Sequence, residues 1–251
     1  MINPFEQFGF ALEITKDGSP TLRLPAQGES MHHSGGAAAE TIYIYGATLD
    51  LAHQILSEGC GTCIVGLGLG YIEIAWALSL LKNSLEPSEK ITFHSFEIRP
   101  ELQKIFLNWL ESNNETIYDL VVEKLDKKAS IEKVKSVLNK ALSLGSTLNG
   151  DLTQFESSRV KWNVICYDAF SQKTNFKLWQ EEFLNFFIQQ YANENCVFTT
   201  YACTSILRKC LTQNKFNFHK RSGFYGKRES SLAVRGFLTA DFARLQSGQT
   251  F

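Results

Sequence analysis

The stretch that most restricts what this chain can fold into is residues 64–73, Ile-Val-Gly-Leu-Gly-Leu-Gly-Tyr-Ile-Glu. The short apolar run before it, Thr62 to Val65, reads as a buried strand. That run ends in Gly66, Gly68 and Gly70, and an apolar segment with helical periodicity follows to about Lys82. Strand, glycine turn and helix, in that order, open a nucleotide-binding α/β sheet. Glycine suits such a turn because it tolerates positive φ and lets a ligand approach bare backbone. Glycine triplets also serve tight packing, so the turn alone leaves a ligand cradle and a packed corner both open.

The rest of the chain repeats the alternation. Residues 10–24 read as a hairpin around the turn cluster Lys16-Asp17-Gly18-Ser19-Pro20, followed by a polar small-residue loop, Gly28 to Gly36. Thr41 to Tyr45, β-branched and aromatic, reads as a strand, and Leu49 to Glu58 as a helix. Ile91 to Phe96 is a second core strand ending in Glu97, and Pro100 sits near the first turn of a helix to about Ser112. Residues 115–145 have helical spacing. Trp162 to Tyr167 is a third core strand ending in Asp168, and Leu178 to Tyr191 is an aromatic amphipathic helix. Strand Cys196 to Tyr201 and helix Ser205 to Gln213 precede a closing strand pair, Phe216 to Lys220 and Ser231 to Phe237. The pattern predicts a mostly parallel sheet with helices on both faces and an antiparallel strand pair at one edge. It divides the chain into an N-terminal β extension, 1–48, and the main α/β domain, 49–251.

Composition excludes several classes. No long uncharged apolar run offers a membrane span, and the N-terminus lacks the basic and apolar regions of a signal peptide. The six cysteines point to a reduced cytoplasm. Cys60 and Cys63 form a C-x-x-C, but no second pair or nearby histidine completes a metal site, so core packing is the reading and no metal is expected. A net charge of −1 provides no global attraction to nucleic acid. Local charge differs: Arg208, Lys209, Lys215, Lys220, Arg221, Lys227, Arg228 and Arg235 fall within residues 205–236, where Glu229 is the lone acid. Phe216, Phe218, Phe224 and Tyr225 are interleaved with them. Such a segment can bind phosphate and stack a splayed base, or can be a solvated edge hairpin protected by its charges.

Parallel sheets of this kind bind ligands beyond the carboxyl ends of their strands. The G-x-G-x-G spacing departs from the G-x-G-x-x-G of dinucleotide folds and favours S-adenosylmethionine (SAM), which has no pyrophosphate to seat on a helix N-terminus. Glu97 is placed to accept hydrogen bonds from both ribose hydroxyls, or is a solvated strand-end carboxylate. Asp151, after Gly150, can accept from an adenine amino group or make an ordinary Asx turn. Asp168 follows bulky apolar residues and is expected to be part desolvated. It can orient the sulfonium, take a proton from an attacking amine, or serve as a cap. An alkyl amine must lose its ammonium proton before it can attack, which a nearby carboxylate or an apolar pocket favours.

Taken together, these motifs resemble those of the MnmC-type tRNA methyltransferases from about Gly28 to Arg235. Glu40-Thr41-Ile42-Tyr43-Ile44-Tyr45 is similar to that family's Glu-Thr/Ser-x-Tyr/His-Val-Phe/Tyr. Gly66-Leu67-Gly68-Leu69-Gly70 stands where the family has Gly-Phe-Gly-Thr-Gly, Ser95-Phe96-Glu97 matches Ser-Phe-Glu, and Gly150-Asp151 matches Gly-Asp. Asp168-Ala169-Phe170, with Asn175 and Trp179, resembles Asp-Gly/Ala-Phe-x-Pro-x-x-Asn-Pro-x-x-Trp, and 223–229 resembles Gly-Phe-Gly-x-Lys-Arg-Glu. Leu69 and Ile72 replace a threonine and an asparagine, and Gln172 and Phe176 replace the two prolines, so the loop after Asp168 is expected to be less rigid. The resemblance implies a Rossmann-like class I SAM-dependent methyltransferase fold. The implied reaction converts a 5-aminomethyl group on the tRNA wobble uridine to 5-methylaminomethyl. By it, Gly66, Gly68, Gly70, Glu97, Asp151 and Asp168 hold SAM, with Asp168 at the reacting centre. Lys227 and Arg228 then lie near tRNA phosphate, and Lys220 and Arg221 of the same basic segment are expected, on charge, to face the tRNA near its anticodon with them. The chain reads as the stand-alone, cytoplasmic type, without the flavin-dependent oxidase domain and with no need for FAD.

Overall fold

The computed structural model describes residues 4–26, 28–112, 117–226 and 229–246. A three-stranded antiparallel sheet comes first: β1 (Ala11–Ile14), β2 (Pro20–Leu24) and the two-residue β3 (Glu29–Ser30), which lies inside the segment expected to be loop. A continuous helical rod follows, made of α1 (Ala37–Thr41), a π-helical turn (Ile42–Gly46) and α2 (Ala47–Ile55). The strand expected over Thr41 to Tyr45 is therefore helical, and the rod runs through position 48. The Ala37-Ala38-Ala39-Glu40 lead-in favours helix, and packing of Ile44 and Tyr45 into the core overrides the β-branched and aromatic content that suggested a strand.

The main sheet has seven strands in the order β6-β5-β4-β7-β8-β10-β9. They are β4 (Cys60–Val65), β5 (Ile91–Phe96), β6 (Thr147–Asn149), β7 (Trp162–Tyr167), β8 (Ala192–Thr200), β9 (Asn217–Ser222) and β10 (Glu229–Arg235). Neighbours from β6 through β8 are parallel, and β10 alone runs against both β8 and β9. Helices α3 (Tyr71–Lys82), α4 (Pro100–Glu111), α5 (Ile117–Leu125), α6 (Ile131–Ser143), α7 (Glu181–Tyr191), α8 (Ser205–Gln213) and α9 (Leu238–Gln246) complete the fold. The expected helix Leu178 to Tyr191 begins later than its periodicity suggests. A 3₁₀ turn, Phe176–Trp179, precedes an extended Gln180, and the Trp179 indole N–H is held by the Phe170 carbonyl at 2.7 Å.

Side chains alternate between two cores across the sheet. Ile64, Val164 and Cys166 face a core built with α2, α3, α5 and α6, while Cys63, Val65, Ile165 and Tyr167 face the aromatic layer of α7. Cys60 and Cys63 are buried, and burial pushes the Cys60 thiol up to about 12 and the Cys63 thiol well above its usual range. Among the described residues, no three His, Cys, Asp or Glu side chains are placed to hold a metal, and no helix is long and apolar enough to cross a membrane.

The glycine turn joins β4 to α3. Gly70 caps α3 at φ +65°, and a Cβ there would lie 2.5 Å from the Phe106 ring. Gly70→Ala combines left-handed strain with overpacking and is expected to cost about 2–4 kcal/mol of stability. Urea denaturation reads this directly, and a loss below about 0.5 kcal/mol would refute the packing account. One turn further on, Glu73 is fully buried. Ser95 Oγ donates to its Oε1 at 2.6 Å, and Oε2 meets no donor among the described residues. Burial pushes this carboxyl up to about 8 from an ordinary value of 4.5. The folded state therefore binds the proton more tightly than the unfolded chain does. The stability tied to that proton is complete below pH 4.5 and drains away as pH rises through about 8, by at most about 1.4 kcal/mol per pH unit. Glu73→Gln is expected to flatten the decline between pH 5 and 8; an equal decline in both proteins would assign it to other groups.

Candidate active site

A cleft of about 850 Å³ opens at the carboxyl ends of β4, β5 and β7. The chain order reverses there: β5 and β6 lie on one side of β4, and β7 begins the other side, the usual position for a ligand in such sheets. The floor is the glycine turn. Gly66 has φ +94°, and a Cβ on it would lie 2.7 Å from the Asp168 carbonyl oxygen. Gly66 and Gly68 line the cleft. Gly70 lies outside that lining, packed against Phe106.

Glu97, at the tip of β5, is held by two backbone donors. The Gly68 N–H reaches Oε2 at 3.2 Å and the Arg99 N–H reaches Oε1 at 2.9 Å. Burial raises its pKa, and the two N–H groups oppose that rise. The carboxylate thus stands at the wall of the cleft, next to bare glycine backbone. Asp151 also lines the cleft, and its carboxylate caps the 3₁₀ turn Leu152–Gln154, accepting from the Thr153 N–H at 2.8 Å and hydroxyl at 2.9 Å. The turn geometry expected as one alternative is present, and it leaves Asp151 at the cleft wall.

Asp168 follows β7, half-buried, with its N–H bonded to the Val65 carbonyl at 2.9 Å. The Tyr45 hydroxyl donates to its Oδ1 at 2.6 Å. Tyr201, at the end of β8, donates to the Ala169 carbonyl at 2.8 Å. Beyond Asp168, the loop that lacks the two prolines is tied down by other means. Ser171 Oγ and Thr174 Oγ1 donate to the two oxygens of Glu29 at 2.6 and 2.9 Å, so β3 crosses to the far wall of the cleft. On the same side the His33 N–H donates to the buried Glu40 at 2.7 Å. Sequence patterns do not single out Glu29, Glu40, Tyr45 and Tyr201 as site residues. Tyr45 ends the Glu40–Tyr45 motif, and Tyr201 follows the strand beside β7, whose tip carries Asp168, which are the available signals.

The basic segment divides. Lys220 lies at the surface and pairs with Glu229 at 2.9 Å. Arg221 is only 6 % exposed, with its guanidinium bonded to Thr199 Oγ1 and the carbonyls of Ile44 and Ser231. Burial lowers its pKa to about 10. This corrects the expectation that Arg221 faces nucleic acid: it is a bridge inside the fold. Lys227 and Arg228 lie outside the described residues. Phe216 joins the core, whereas Tyr225 is 59 % exposed beside His33 and Phe224, with ring centroids 5.6 and 6.0 Å away. His33 lines the cleft, and Phe224 and Tyr225 pack on it from outside that lining.

The fold and this site have counterparts among known proteins. The chain is 29 % identical over 229 residues to an uncharacterized protein of Methanocaldococcus jannaschii, covering 88 % of this chain and 58 % of that protein. It therefore spans rather more than half the length of that curated relative. The crystal structure of MnmC2 from Aquifex aeolicus has the same fold, with a TM-score of 0.63 at 22 % identity over 94 % of this chain and 75 % of that one. A family model described as S-adenosyl-L-methionine-dependent methyltransferase matches residues 110–236, half of the chain and the part that carries Asp151, Asp168 and the strands beyond them. With half of its length matched, the chain belongs to the S-adenosyl-L-methionine-dependent methyltransferase family.

Proposed function

We propose that this protein methylates the exocyclic amine of 5-aminomethyl-uridine at the wobble position of tRNA, using SAM. The observation that carries the reading is the half-buried Asp168 against the glycine floor of a cleft that His33, with Phe224 and Tyr225 packed on it, also lines. Glu97 is the residue to accept from the ribose hydroxyls, Gly66 and Gly68 let the ligand lie against backbone, and Asp151 faces the adenine. Bound there, SAM supplies a sulfonium methyl that a neutral amine nitrogen attacks, with the C–S electron pair staying on sulfur.

The protein's own part is alignment and proton management. Asp168 receives the ammonium proton and so frees the nitrogen lone pair. This aromatic group suits a nucleobase: Tyr225 is exposed, Lys16 Nζ sits 5.4 Å from its ring centroid, and its backbone is held at φ +46°, unusual for a residue with a side chain. Lys220, Lys227 and Arg228 are the proposed phosphate contacts, in keeping with the resemblance of 223–229 to the MnmC-type motif. A cytoplasmic setting follows from a tRNA substrate.

Incubation with labelled SAM and undermethylated tRNA is expected to place label on the wobble nucleoside; none there would sink the proposal. Raising salt from 50 to 200 mM should weaken tRNA binding by at least about tenfold while leaving affinity for S-adenosylhomocysteine nearly unchanged. Glu97→Ala is expected to weaken S-adenosylhomocysteine binding about tenfold or more in calorimetry, equivalent to about 1.4 kcal/mol. Unaltered affinity would remove Glu97 from the nucleoside site.

A further inference from the structure

The rod from Ala37 to Ile55 changes winding where it passes the cleft. Over Ile42–Gly46 it is π-helical, with the Ala47 N–H returning to the Ile42 carbonyl. A π turn is less favourable than α-helix and recurs where a side chain must be re-aimed. This one is held from outside by the far half of the sheet. The Tyr43 hydroxyl donates to the Ser222 carbonyl at 2.8 Å, and Thr199 Oγ1 donates to the Ile44 carbonyl at 2.7 Å. Arg221 Nη2 joins the same cluster, 3.0 Å from Thr199 Oγ1 and 3.4 Å from the Ile44 carbonyl. The next residue is Tyr45. Its ring is buried, and its hydroxyl meets Asp168 at 2.6 Å across 123 positions of sequence.

We propose that Tyr45 is a positioning residue for methyl transfer, its hydroxyl holding the Asp168 carboxylate charged and oriented toward the acceptor amine. The inference rests on the reading of Asp168 as the group that receives the acceptor's proton. In that step the N–H bond of the ammonium breaks and the proton passes to the Asp168 carboxylate; the freed lone pair would then form the N–C bond as the methyl C–S bond breaks, its electron pair remaining on the departing thioether sulfur. An O–H···O⁻ bond strengthens with the negative charge it meets, so it favours the ionised form of Asp168. Tyr45 remains a donor throughout, because burial and the charge of Asp168 hold its phenol well above the usual range. A tyrosine serving only to fill the core would not need its hydroxyl on a cleft carboxylate. Among the described residues, Tyr201, Cys166 and Glu73 are electrostatically coupled to Asp168, and Glu29 and Glu40 line the same cleft and act on Tyr201. Of these, Glu73 titrates within the working range, so Glu73→Gln is the control background.

Tyr45→Phe keeps the ring and removes the hydroxyl. The test uses the full chain saturated with S-adenosylhomocysteine and labelled with ¹³C-carboxyl aspartate, with Asp168→Asn identifying the resonance. The Asp168 midpoint is expected to move up by about one pH unit in Tyr45→Phe, in both the native and Glu73→Gln backgrounds. S-adenosylhomocysteine affinity should stay within about twofold, while kcat on undermethylated tRNA falls at least tenfold with little change in KM, and the acid limb of the kcat profile moves with the midpoint. An unchanged midpoint, or a kcat equal to that of the unsubstituted protein, overturns the proposal. Failure of the unsubstituted protein to methylate tRNA would instead overturn the acceptor assignment, and the aspartate titration, which needs no acceptor, would still decide the role of Tyr45.

Discussion

No side chain fits between the tips of the two central strands. A Cβ at Gly66 would stand 2.7 Å from the carbonyl oxygen of Asp168, and the Asp168 N–H is at the same time bonded to Val65. The β4 and β7 backbones therefore leave the sheet in contact, and this contact sets the heights of everything around them. Gly68 is brought to the level of Glu97 and donates to it, and Asp168 is brought within reach of Tyr45. A wider separation would admit a side chain but would lose the bare floor on which a ligand can lie.

Much of this arrangement is legible in the sequence. The strands ending in Gly66, Glu97 and Asp168 are apolar runs of ordinary length, and their tips stand out because polarity and glycine begin abruptly there. The rod is not legible in the same way. Thr-Ile-Tyr-Ile-Tyr has the composition of a strand, and a π turn has no periodicity of its own to betray it. The residues needed to stabilise that turn come from positions 199 and 221, which no local window includes. Arg221 misleads for a related reason: charge density along a chain predicts exposure, yet a guanidinium with three oxygen partners can be taken inside. The strand β6 is three residues long and the strand β3 two, below any recognisable alternation.

The departures from the MnmC-type pattern fall in two settings. Leu69 and Ile72 are buried, and Ile72 lines the cleft, so the α3 side of the site is more apolar than an asparagine would make it. Gln172 and Phe176 lie in the loop after Asp168. Proline restricts a loop through its ring; here restriction comes from contacts, with Trp179 on the Phe170 carbonyl and Glu29 on two hydroxyls. The loop is positioned by different means at the same place, and Phe176 is exposed on the cleft wall.

The Glu29 bridge also bears on how the molecule comes together in time. Its two hydroxyl partners lie 142 and 145 residues downstream. Closing so long a segment carries an entropy penalty that is recovered only once β7 and its loop are in place. β3 pairs locally with β2, whereas its Glu29 carboxylate meets its two hydroxyl partners only once the loop after β7 is in place. The cleft wall is thus a late event in folding, set by a contact of long sequence separation and not by the local hairpin that carries Glu29.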